Sequence, residues 1–142
     1  MNNRQIVVQT LPEGTLTEDN FALQDAPMPT AGDGEVLLKT ILMSIDAANR
    51  SWMQGATYRD AVKAGDVMAT YSICEVVESN SSSVAVGDIV AAEAVWADYV
   101  VRPAHKVEKL PKVDQLSHLI SVYGIAGKTA FHGLVSVGKP MA

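Results

Sequence analysis

The sequence is poor in cysteine, in aromatic residues and in positive charge, and it has no long apolar run. Its single cysteine, Cys74, cannot close an intramolecular disulfide, and with no second thiol nearby a zinc cluster has no scaffold. Set in the apolar stretch SICEVVE, it reads as a small buried hydrophobe. Lys and Arg number 11 against 16 Asp and Glu, and the basic residues are scattered. A nucleic-acid partner needs a concentrated basic face, so that class is excluded. The three histidines, His105, His118 and His132, lie far apart with no cysteine or carboxylate at ligand spacing, so no metal site is expected. No apolar stretch is long enough to cross a bilayer, and the opening MNNRQIVVQT has neither the apolar core nor the cleavage pattern of a signal peptide. A cytoplasmic protein with no membrane partner is the expectation. A Gly-x-Ser-x-Gly elbow is missing, and Cys74 has no basic neighbour to activate it, which leaves nucleophilic catalysis without a candidate.

What is present is a chain of 142 residues, 48% hydrophobic and 19% charged, the composition of one globular domain over 1–142. Short runs rich in β-branched residues recur between turn signals. Strands are expected at Ile6–Gln9, Phe21–Gln24, Glu35–Ile45, Val67–Glu78, after Gly87-Asp88, at Tyr99–Arg102 and at Val107–Leu110. One helical turn is expected near Arg59–Lys63. Then the period changes: Leu116, Leu119, Ile120 and Tyr123 fall on one face of a helix over 114–123, capped by Asp114 and ended by Gly124. A second helix is expected over 128–137, with Ala130, Phe131, Leu134 and Val135 facing inward. The pattern is mainly β with flanking helices, a barrel or a sandwich.

Two stretches invite a chemical reading. In Leu37–Met53 an apolar strand ends in a polar cluster, Asp46, Asn49 and Arg50, closed by Trp52 and Met53. If the cluster is helical, Asp46 and Arg50 can pair at i, i+4, and Asn49 with the apolar wall has the profile of a small-molecule pocket. An ordinary buried strand followed by a solvated turn is the alternative. Gly127-Lys128-Thr129 looks like the end of a phosphate loop, but Val122 stands where that motif needs its first glycine, so the motif fails. A threonine at a helix start still sets a hydroxyl beside free backbone N–H groups, and simple capping explains it equally well. Glu75 and Glu78 read as a solvated strand edge.

Taken together, MNNRQIVVQTLPEGTLTEDNFAL, GEVLLKTILMSIDAANRSWM, Val86–Val90, Trp96–Tyr99 and YGIAGKTAFHGL resemble the zinc-independent, NADP-dependent branch of the medium-chain dehydrogenase/reductases, which includes the 2-alkenal and prostaglandin reductases. The resemblance runs in register from Asn2 to about Pro140. It implies a GroES-like β-barrel with C-terminal helices, and NADP bound between it and a following Rossmann domain. By position it places Thr129 and Asn49 at the cofactor, and Asp46, Arg50, Trp52 and Tyr71 at the substrate pocket. No catalytic residue is singled out. Ala47 replaces the family's usual proline, Ala48 stands where many members have a tyrosine, and Ala69-Thr70-Tyr71 replaces a glycine-rich stretch. The Gly-His-Glu stretch and four-cysteine lobe of zinc-binding members are absent, as is any Gly-x-Gly-x-x-Gly after a strand.

Two functions are therefore expected. The first is the catalytic-domain portion of a longer reductase, or a truncated copy, acting on activated C=C bonds of enones or enals and inactive by itself. The second is a free-standing, non-catalytic GroES-like binding or assembly module, with a homodimer through apolar surface at Phe131, Leu134 and Val137 as its expected assembly.

Overall fold

A computed structural model describes residues 2–141. The chain divides into two compact units, one up to Leu110 and one from Pro111 on, and each is described by itself.

The first unit is built from seven strands: β1 (Asn2–Val8), β2 (Phe21–Pro27), β3 (Glu35–Met43), β4 (Ala69–Ser79), β5 (Ile89–Val95), β6 (Tyr99–Pro103) and β7 (Val107–Lys109), with one helix, α1 (Ala47–Trp52), between β3 and β4. Five of them form an antiparallel sheet in the order β6-β3-β4-β5-β7, and β1 pairs with β2. β4 is therefore interior to its sheet, and Glu75 and Glu78 do not mark an edge. The middle strands are apolar on both faces where they cross the core. Val36 and Leu38 of β3, Cys74 and Val76 of β4, and Val90 and Ala92 of β5 form one buried cluster.

The sheet curls into a half-barrel. β5 and β6 are separated by two strands in the sheet order, yet the Arg102 Nε on β6 donates to the Glu93 carbonyl on β5. Register shifts at Leu37/Leu38 and Thr40/Leu42 supply local bending where β3 meets β4. β1 straps this curl shut. Its Ile6 N–H donates to the Trp96 carbonyl, and Met68 N–H donates back to Ile6. The buried Asn3 side chain imitates a peptide group, donating to the Tyr99 carbonyl and accepting from the Tyr99 N–H. Arg4 adds a two-pronged ion pair with Asp98.

The second unit departs from its sequence reading. The first helix is only one turn, α2 (Ser117–Ile120), and Asp114 does not cap it: Leu116 holds the cap position with no side-chain hydrogen bond. Gly124 does not simply end that helix but begins the next, α3 (Ile125–Phe131), which continues as a wider π-helical segment, His132–Gly138. The reason is a tight reversal. The Gly127 N–H donates to the Ser121 carbonyl, and a Cβ on Gly127 would overlap the Val122 carbonyl. The residues expected to face inward are exposed, Phe131 at 66% and Leu134 at 62%.

Candidate functional site

The polar cluster after β3 becomes α1, and its sequence explains why. Asp46 is extended and accepts from the Ala48 N–H at 2.7 Å, while Asn49 Oδ1 accepts from the Asp46 N–H at 2.8 Å. This reciprocal cap satisfies N–H groups that a six-residue helix would otherwise leave open. Asn49 also donates from Nδ2 to the Ala69 carbonyl at 2.9 Å, which fastens α1 to the start of β4. On the inner side, Trp52 and Met53 pack with Val8, Val62, Met68 and Ala69.

Asp46 and Arg50 do not pair. Asp46 is occupied by its own backbone and by Ser44 Oγ, and the Arg50 Nη2 reaches the Gly14 carbonyl. Neutralisation of Arg50 by Asp46, open from spacing alone, gives way to the stronger local demand of the helix cap.

Past α1 the expected helical turn at Arg59–Lys63 does not form, and the segment is irregular. It carries two side chains against the indole of Trp52: the Arg59 guanidinium lies 4.6 Å from the ring centroid, and Tyr58 meets the ring edge-on at 6.1 Å. Three buried donors along this stretch, Arg50 Nη1, Trp52 Nε1 and Arg59 Nε, have no hydrogen-bond partner among the described residues. A buried N–H left unpaired costs about 1–3 kcal/mol, and Trp96 Nε1, Ser72 Oγ and Thr40 Oγ1 are likewise buried without a partner among the described residues.

Two adjoining hollows open here. One of about 520 Å³ is lined by the 56–60 loop and Glu93. The other, about 670 Å³, runs over β5 and is lined by Arg59, Tyr71, Glu93, Arg102, Lys106 and Glu108. Arg59 and Glu93 belong to both. The small side chains of Ala91, Ala92 and Ala94 leave the room above β5 that the second hollow occupies. Tyr71 stands in it, its phenol raised above the usual range by burial and by Glu108 and Glu93. Burial depresses the Arg102 guanidinium, and repulsion from Arg59 adds to that against the pull of Glu93. Cys74, by contrast, is sealed in the core, where burial pushes its thiol up to about 11.

Of the residues singled out in the sequence, Asp46, Asn49, Arg50 and Trp52 are thus brought together on α1, and Tyr71 lines the hollow that Arg59 links to Trp52. Thr129 belongs to the second unit. It is exposed and lies in the fifth position of α3, past the first turn, so it does not sit beside the free N–H groups of a helix start. Arg59, Glu93 and Arg102 were missed. They stand on an irregular loop and on two strands, and only the curl of the sheet assembles them.

A curled antiparallel half-barrel with a capped polar helix and a hollow over β5 is the GroES-like N-terminal region of a medium-chain dehydrogenase/reductase. The chain belongs to the family described as the N-terminal domain of oxidoreductase, which matches residues 4–110, nearly the whole first unit. It is 34% identical over 140 residues to the NADPH-dependent curcumin reductase of Escherichia coli, covering 97% of this chain and 41% of that protein. It is 33% identical over 129 residues to rat prostaglandin reductase 1, covering 88% and 37% respectively. The crystal structure of CurA from Vibrio vulnificus superposes with a TM-score of 0.85 at 36% identity, covering 97% of this chain and 41% of that one. CurA has also been solved in complex with NADPH. The chain spans about two-fifths of the length of these relatives.

Proposed function

We propose that this chain forms the substrate-binding part of a zinc-independent, NADPH-dependent reductase of activated C=C bonds in α,β-unsaturated carbonyl compounds. The observation that carries the reading is the capped polar helix α1 and the hollow over β5, in a fold shared with NADPH-dependent relatives.

The pyrophosphate of NADPH finds no counterpart here, since no glycine-rich turn follows a strand in this sequence. When bound, NADPH supplies a hydride. The chain's own residues orient and exclude: Arg50 ties α1 to the Gly14 carbonyl, Trp52 and Met53 wall off water, and Tyr71 narrows the pocket. Asp46 holds α1 at the pocket edge, and Asn49, whose amide is already engaged within the protein, keeps one Nδ2 hydrogen for the cofactor. Thr129, on the second unit, is proposed separately as a cofactor contact through its exposed hydroxyl.

The test is NADPH consumption by the full-length gene product with a medium-chain 2-alkenone, with the product weighed by mass spectrometry. A gain of two hydrogens at the C=C bond, matched to NADPH oxidised, is the expected result, and the 142 residues alone should give none. Carbonyl reduction to the allylic alcohol, or no consumption by the full-length protein, would overturn the reading.

A further inference from the structure

Two arginines face the same hollow. Among the described residues the ion pairs within reach join Arg4 to Asp98 and Lys109 to Asp88, and neither Arg59 nor Arg102 takes part in one. Arg102 is held on two main-chain carbonyls, its Nε on Glu93 at 2.6 Å and its Nη1 on Val101 at 2.8 Å, which fixes the guanidinium within the attraction of the Glu93 carboxylate. Arg59 is fixed differently, by stacking on Trp52 at 4.6 Å, and its buried Nε donates to nothing among the described residues. The two guanidinium groups repel one another, and Lys106 adds a third cation to the same lining. Glu93 and Glu108 offset part of this charge. Three cations line the hollow over β5 against two carboxylates, and Asp60 stands as a third carboxylate in the adjoining hollow.

Two immobilised guanidinium groups that repel across a hollow are stabilised by an oxyanion between them, and a planar fork fits a carboxylate. We propose that Arg59, with Arg102, selects substrates that carry a carboxylate remote from the reacting C=C bond. This rests on the reductase reading above and names the substrate class for it. The α1 region would serve the reacting end, and the arginine-lined hollow over β5 the charged tail. Arg59, which borders both hollows and touches Trp52, joins the two regions.

The experiment uses the full-length protein and two matched substrates, 12-oxododec-10-enoic acid and its methyl ester. Wild type is expected to show a KM for the acid roughly ten- to a hundredfold below that for the ester, the range of a hydrogen bond to a charged group. Arg59→Gln should bring the ratio of the two KM values to about one, the acid losing its advantage over the ester whatever change the two substrates share. Arg59→Lys, which keeps the charge, should restore part of the preference. Calorimetric titration of the acid without NADPH reads the anion site apart from turnover. If neither substrate is reduced but the acid binds and Arg59→Gln abolishes it, the reductase reading fails and the anion site stands. Equal KM for acid and ester in wild type, or equal losses on both in Arg59→Gln, would overturn the proposal.

Discussion

Cys74 shows how burial sets a side chain's chemistry. Its sulfur is buried in a cluster with Val36, Leu38, Val76 and Val90, and this burial outweighs the opposing pull of Thr40 and Arg102. The folded thiol ionises near 11, against 9.0 for an exposed one. A group that holds its proton more tightly when folded contributes stability below the unfolded value and loses it as pH rises through the folded one. The midpoint of urea unfolding is therefore expected to be insensitive to Cys74 up to about pH 9 and to fall between there and about pH 11, a fall that Cys74→Ala should lessen. Iodoacetamide at pH 8 should modify Cys74 only after unfolding, read by intact mass. The burial was legible in the sequence, since SICEVVE is apolar around a lone cysteine. The role of Asn49 was less so. Its spacing from Asp46 announces a capping box once a helix is granted, but its bond to the Ala69 carbonyl joins residues 20 apart and depends on how β4 returns.

Elements were legible where a single periodicity ruled them. β3 and β4 are rich in apolar and β-branched residues and bounded by turn formers, and their spans follow the expected strands closely. The helices of the second unit were not, because apolar spacing records a face and says nothing about where the backbone must reverse. Gly124 and Gly127 decide that. A Cβ on Gly124 would press on the Ile120 carbonyl and one on Gly127 on the Val122 carbonyl, so the α2–α3 junction closes only with glycine at both places. Gly127→Ala is expected to open this junction and speed limited proteolysis within 121–131, whereas Gly133→Ala, which meets no neighbour within 4 Å, should leave the rate unchanged. The fluorescence of Trp52 and Trp96 in the first unit should be the same in both variants.

At the scale of the whole molecule, function is a property of a surface assembled from distant parts. Residues 46–60 lie together in sequence, so the capped helix and its apolar wall could be found there. The hollow over β5 draws on β4, β5, β6 and β7, and its arginines acquire meaning only because the sheet curls. The family match extends over residues 4–110, and the chain spans about two-fifths of the length of its relatives. The most direct test of the central claim is hydrogen–deuterium exchange on the full-length protein, free and saturated with NADPH and a non-reducible saturated ketone. Backbone amides of residues 46–60 should slow on ligand binding while those of β1 and β2 keep their rates. Unchanged exchange over 46–60 in the saturated complex would contradict the assignment of α1 and its loop as the ligand-facing wall.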